Sequence, residues 1–388
     1  MSDYKSQYTD ISNTFYILWH NILMITITFV IPASIDFNGG IEKTISHYYE
    51  CNTGDFKKFI LQGEGKSSAN IYSIKSIYSK LIIKTSGIAN FMVRMFAPAL
   101  LTLDRIINLK IIKYIEKTSD IIYLTHNDYY YLFRHGKFMI WSEHGNIPSN
   151  YTGIAIINSA VTSLIKNKLI FRNISAVHLI NGYNRKLIPM KNVFCVPNGV
   201  DSSSFIPGER KTGRPRLLYV GRLEKSKGID MVLNVFKNHN LNIELTVVGS
   251  GNLENDFKNV PDNVKYLKNI PDSELQKIYR DSDAFIFIST LENFGNVVLE
   301  ALSSGLYVVA SQNLKPRFND IEKMNFLEYI EPTEEGILEA IRGIEEKLKY
   351  TEIFASRLFI HNYIKKTYDW NNVLVQFYAD IKSVYHQE

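Results

Sequence analysis

Hydrophobic and polar positions along this chain follow two alternating periods. Short apolar runs, β-branched and aromatic, lie near 25–31, 58–62, 121–125, 138–142, 153–157, 175–179 and 193–196. They return near 216–220, 243–248, 264–267, 284–288, 306–310 and 327–330, and all of them predict buried strands. Between them, apolar residues recur at helical spacing over 40–50, 88–117, 229–239, 273–281, 296–304 and 334–348. This alternation predicts an α/β fold with two doubly wound parallel sheets. A polar stretch with Pro207, Gly208, Gly213 and Pro215 marks the seam at Asp201–Pro215. The expected organisation is an extension over 1–23, one Rossmann-like domain over 24–200, a second over 201–365, and a terminal helical segment over 366–388. No repeat and no low-complexity run interrupts it.

The most informative chemistry follows the run Ala284–Ile288. Phe294-Gly295-Asn296 turns the chain, and Val298, Leu299 and Leu302 then have helical spacing. Glu292 therefore lies at the carboxyl end of a strand, and Glu300 lies one to two turns into the next helix. In an open α/β sheet, ligands bind in that crevice. Gly295 lets backbone come close, and the first amides of the helix can hold an anion. Two carboxylates beside such an anion site suit a polyhydroxylated ligand that carries phosphate. A nucleotide sugar has that chemistry.

Composition narrows the reading only a little. A chain of 388 residues exceeds one ordinary core. Cys51 and Cys195 stand in unrelated contexts, so neither a disulfide framework nor a zinc site is expected. Residues 1–200 carry 21 basic and 12 acidic side chains, or +9, whereas the rest carries 23 against 27, or −4. No base-reading motif accompanies the basic half, so an anionic lipid surface or a phosphorylated acceptor fits better than nucleic acid. Residues 1–23 lack a basic n-region and a cleavage site, and Tyr16–Ile31, with His20 and Asn21, is too short for a membrane span.

Several segments resemble one family in the expected order. ENFGNVVLEALSSG, VGRLEKSKGID (Val220–Asp230), VPNGVD (Val196–Asp201), VVGSG (Val247–Gly251) and FNGGIEK (Phe37–Lys43) resemble the signatures of glycosyltransferase family 4. The resemblance covers most of the chain and is most specific over 196–310. It implies a GT-B architecture, with the two Rossmann-like domains facing a central cleft and the terminal helices crossing back onto the first domain. It also implies a retaining, metal-independent transfer of a hexose-type sugar from a nucleoside-diphosphate sugar to an acceptor hydroxyl. The acceptor would be a lipid-linked, polysaccharide or glycoconjugate intermediate, and no cofactor is expected. The enzyme would be cytoplasmic, peripheral on the inner membrane face. Two alternatives stay open: a nucleotide-sugar epimerase on the same architecture, and a non-catalytic nucleotide-sugar binder.

Residue by residue, the resemblance gives the catalytic set Arg222, Lys227, Glu292 and His144. Arg222 and Lys227 would clamp the diphosphate, and a guanidinium beside an ammonium at a helix start would neutralise charge on the leaving group. Glu292 would take the donor sugar hydroxyls and Glu300 the ribose. His144, in WSEHG, would lie beside the donor sugar, with Glu143 structural. Gly39, Gly40, Gly221, Gly249, Gly251, Phe294, Gly295, Asn296 and Val297 complete the expected donor site. Gly39-Gly40 would bring backbone amides to the diphosphate, and Gly249 and Gly251 would make room for base or ribose.

Asp281-Ser-Asp283 matches a metal-binding D-x-D, but it precedes its strand and so lies at the wrong end; no metal site is expected. Two stretches depart from the family: Gln312–Asp320 (QNLKPRFND) replaces a glycine-rich run near the donor, and His178–Leu187 lacks the usual serine-led pattern. Over Gly87–Ser119, Ile88, Phe91, Met92, Met95, Phe96, Leu100, Leu103, Ile107 and Ile111 recur at near-helical spacing. Arg94, Arg105, Lys110, Lys113 and Lys117 are interspersed, and Pro98 should kink the helix. Such a helix suits docking on a membrane; its alternative is packing on its own sheet with a solvated basic face.

Overall fold

The computed structural model describes residues 24–36, 39–84, 87–133, 136–143, 171–209, 213–290, 292, 294–322, 324–348 and 356–387. The extension over 1–23, the strand expected at 153–157, His144, Phe37 and Asn38 lie outside them. Two compact units emerge. The first takes residues up to Leu179, Lys186–Phe194 and Tyr378–Glu388; the second takes Ile180–Arg185 and Cys195–Phe377.

In the first unit the strands are β1 (Ile25–Ile31), β2 (Phe56–Gln62), β3 (Ile71–Ser73), β4 (Ile121–Leu124), β5 (Phe138–Glu143), β6 (Ala176–Leu179) and β7 (Val193–Cys195). They form one seven-stranded sheet in the order β3-β2-β1-β4-β5-β6-β7. The ladders from β3 to β6 are parallel. β1 reads ITITFVI and buries every residue but Thr26, as expected for a strand covered on both faces. Phe29 and Tyr123 pack edge to face at 5.3 Å, and the Tyr123 hydroxyl lies 2.6 Å from His178 Nδ1. The chain end joins this unit through Tyr378 on Phe56, with ring centroids 4.8 Å apart, and through Lys382 to Asp55 at 2.9 Å.

Helix α1 (Gly40–Glu50) follows β1. The single kinked helix expected over 88–117 is corrected to three: α3 (Gly87–Met95), α4 (Ala97–Ile107) and α5 (Leu109–Thr118). Pro98 is the reason for the first break. It lacks an N–H, so it is tolerated in the first turn of a new helix but not inside an old one. β3 and helix α2 (Ile77–Lys84), which precedes α3, were not signalled by the apolar pattern. The Asp104 carboxylate, fully buried, starts α2 by accepting from Ile77 N at 2.7 Å, Tyr78 N at 3.2 Å and Ser76 Oγ at 2.6 Å. A long-range cap of this kind is invisible to local periodicity.

The second unit contains β8 (Arg216–Val220), β9 (Glu244–Val248), β10 (Val264–Leu267), β11 (Ala284–Phe287), β12 (Tyr307–Ser311) and β13 (Leu327–Ile330). These form a six-stranded, wholly parallel sheet in the order β10-β9-β8-β11-β12-β13. Around it lie α6 (Ile229–Asn238), α7 (Asp272–Asp281), α8 (Asn296–Ser303), α9 (Glu334–Lys347) and α10 (Arg357–Tyr368). The last helix, α11 (Trp370–Tyr385), begins after Asp369, which accepts from Ser202 N at 3.3 Å. The strand order reverses between β8 and β11, so the loops leaving their carboxyl ends flank the topological switch point.

Candidate functional site

Four loops converge at the carboxyl edge of the second sheet, after β8, β9, β11 and β12. The backbones of the first three are joined directly. Gly221 N donates to Val248 O at 3.1 Å, Leu223 N to Ser250 O at 2.9 Å, and Thr290 N to Ser226 O at 2.9 Å. Glycine is required where these loops touch. Gly228 caps α6 in the left-handed region at φ 69°, and a Cβ there would collide with the Ile288 carbonyl. A Cβ on Gly249 or Gly251 would strike the carbonyl of Gly221 or Leu223. The neighbouring loop thus requires glycine at both positions.

Gly295 caps α8 at φ 89°, again left-handed, which leaves the first amides of Asn296 and Val297 at the helix start. Beneath it Phe294, 3% exposed, packs on Phe318 with ring centroids 5.3 Å apart. Phe294 therefore wedges the turn from below. Asn296 accepts from Asn198 Nδ2 at 3.0 Å, tying the Pro-Asn-Gly segment to the same helix start.

Of the charged residues predicted from sequence, the structure brings Lys227 and Glu292 together. Lys227 Nζ lies 2.7 Å from Glu292 Oε2, with side-chain exposures of 12% and 19%. The same ammonium sits 5.9 Å from the centre of the Phe287 ring. Arg222, two-thirds exposed, pairs with Glu224 at 2.8 Å. Glu300 accepts from the hydroxyl of Tyr279 at 2.8 Å. Burial, and then the charge of Glu300, pushes the Tyr279 phenol well above its usual range, so it stays a donor at any physiological pH.

Three contributors escaped the sequence reading. Tyr279 reads as core in an amphipathic helix, Glu224 as a loop acid, and Arg317 lies in the stretch that departs from the family pattern. Arg317 Nη2 donates to the Glu292 carbonyl at 2.7 Å, from a 3-10 turn over Gln312–Arg317. That turn is moored to the β11 loop by Asn313 Nδ2 on Thr290 O at 2.9 Å. Asp283 belongs elsewhere. It is 4% exposed and holds Arg216 at 3.3 Å and Arg357 at 3.2 Å, so its carboxylate is engaged in the fold.

In the first unit, Gly39 caps α1 and Gly40 begins it, after β1 at that sheet's own switch point. A Cβ on Gly40 would meet open space. Neither left-handed backbone nor a neighbour among the described residues explains glycine at that position.

Residues 202–356, which contain Arg222, Lys227, Glu292 and Glu300, match the family model of the glycosyl transferases group 1. That segment carries the likeness to the group 1 glycosyltransferases. It is 24% identical over 291 residues to the phosphatidylinositol N-acetylglucosaminyltransferase GPI3 subunit of Saccharomyces cerevisiae, covering 64% of this chain. The chain spans 63% of that relative's length, less than two thirds. Among solved structures, sucrose-phosphate synthase from Thermosynechococcus elongatus matches with a TM-score of 0.74 at 14% identity, covering 94% of this chain and 100% of that one. The Anabaena HepE protein, solved in complex with UDP and glucose, matches with a TM-score of 0.64 at 14% identity, covering 92% and 100%. At such identities the likeness shows the fold alone, the GT-B architecture.

Proposed function

We propose that this protein is a retaining, metal-independent glycosyltransferase of family 4 that moves a hexose-type sugar from a nucleoside-diphosphate sugar to an acceptor hydroxyl. The observation that carries the reading is the Lys227–Glu292 pair at the β8/β11 switch point, beside the start of α8. A cation and a carboxylate there match the two halves of the donor, its diphosphate and its sugar hydroxyls. Lys227, Arg222 and the first amides of α8 stabilise the departing diphosphate, in place of a metal. Glu292 takes sugar hydroxyls, and Glu300 takes the ribose.

Retention follows from front-side attack. The acceptor oxygen bonds to the anomeric carbon as the carbon–phosphate-oxygen bond breaks on the same face. The acceptor proton passes to the leaving phosphate oxygen, giving glycoside and nucleoside diphosphate. His144 and Gly39-Gly40 are the groups expected to serve from the other domain. The acceptor is lipid-linked, a reading supported by the phosphatidylinositol substrate named for the yeast relative, and the enzyme works peripherally at a membrane face.

Incubation with a panel of nucleotide sugars, with and without lipid extract, tests this. Slow hydrolysis alone and transfer with lipid are expected. An epimerised donor in the absence of acceptor would make the protein an isomerase, and no ligand-induced thermal shift across the panel would refute donor binding. A true ligand at about 100 times its dissociation constant adds about 2.7 kcal/mol of stability.

A further inference from the structure

The helical segment between β3 and β4 carries most of the large apolar side chains that the described residues expose. Of fifteen such residues, eleven fall between Ile77 and Tyr114. Their spacing is that of helix faces. On α3 and its end, Met92, Met95 and Phe96 are 42%, 48% and 53% exposed, at i, i+3 and i+4. On α4, Leu103, Ile106 and Ile107 are 44%, 64% and 48% exposed with the same spacing. The opposite face of α4 already has its partners, because Ala97, Leu101 and Asp104 are fully buried. The exposed stripe is thus additional to the core. Isolated apolar residues on a surface are ordinary, but a run of this density is not.

The charges in the same segment name the occupant. Residues 77–118 hold seven basic and two acidic side chains. Both acids are turned to internal work: Asp104 starts α2, and Glu116 pairs with Arg105 at 2.8 Å. Lys80, Lys84, Arg94, Lys110, Lys113 and Lys117 are exposed. On α5 the last three fall on one stripe with Tyr114, while Ile112 and Ile115 face inward. An apolar stripe bordered by cations, without a free acid among them, is complementary to an anionic lipid bilayer: acyl chains for the side chains, phosphates for the ammonium groups.

We infer that α2–α5 form a docking face for an anionic membrane, which the apolar residues of α3 and α4 enter and the lysines of α5 steer. This deepens the peripheral reading given above by naming the face and its mode. The basic pattern alone predicts purely electrostatic, salt-released binding. The exposed stripe adds an insertion component that salt does not screen.

Sedimentation of the full chain with vesicles of phosphatidylcholine, with or without phosphatidylglycerol, tests the inference without reference to transfer. Binding to the anionic vesicles is expected, with a fraction retained at high salt. Lys110→Gln, Lys113→Gln and Lys117→Gln together should weaken binding at low salt by about fivefold per charge. Phe96→Ser with Ile106→Ser should abolish the salt-resistant fraction, by about tenfold per side chain. Since all five positions are exposed, thermal melting should be unchanged. Wild-type protein left in the supernatant with every vesicle would overturn the docking face while leaving donor binding untouched. Complete release by salt, or retention of the resistant fraction in the Phe96/Ile106 variant, would overturn the insertion mode.

Discussion

Replacing Lys227 with Ala removes one half of a partly buried ion pair and the proposed leaving-group cation at once. The two consequences differ in size and can be separated. Unit charges 2.7 Å apart at an effective dielectric of about 20 attract by about 6 kcal/mol. Desolvating two side chains that are only 12% and 19% exposed offsets most of that attraction. The net loss of stability is about 1–3 kcal/mol, chiefly the penalty on a Glu292 carboxylate left without its cation. Turnover should fall much further, by about 10²–10³-fold, the scale of one lost charge-stabilising donor. Lys227→Ala with Glu292→Gln should recover part of the stability, because the stranded charge is gone, but none of the turnover. Thermal melting and release of nucleoside diphosphate read the two quantities. Lys227→Ala protein that melts early yet turns over within a few-fold of wild type would refute the clamp and leave the pair a structural one.

Arg222→Ala should lower turnover by about 10²-fold with little change in melting, since its pair with Glu224 is largely exposed; equal turnover would remove it from the mechanism. Tyr279→Phe deletes one hydrogen bond to Glu300 and should raise the donor KM about fivefold, near 1 kcal/mol, with kcat little altered; a fall in kcat alone would contradict a ribose role for Glu300. Donor turnover should persist in excess EDTA, and loss restored by magnesium or manganese would reverse the metal-independent reading. Asp283→Asn should lower stability by about 3 kcal/mol by stranding Arg216 and Arg357, measured by denaturant unfolding. Burial raises the folded-state pKa of Glu42, so its ionisation opposes folding, and Glu42→Gln should stabilise the protein at pH 7, with the gain shrinking as pH falls through that raised value. A pH-independent difference would assign the effect to packing.

The two-sheet plan was legible in the chain, because strands buried on both faces are written as near-continuous apolar runs, as the cores of β8, β11 and β12 are. The sequence also marked the β11 turn, since only glycine enters the left-handed region there without strain, and it singled out Lys227 and Glu292. That these two residues, 65 positions apart, form one ion pair was decided by the tertiary structure, because parallel crossover brings the ends of β8 and β11 side by side. The need for glycine at 249 and 251 is visible only there too, because the folded chain brings the β8 loop against them. Arg317, Tyr279 and Asp104 were illegible for the same reason. Each acts on a partner at least 21 residues away, and periodicity reports which face a side chain lies on but not what stands opposite it.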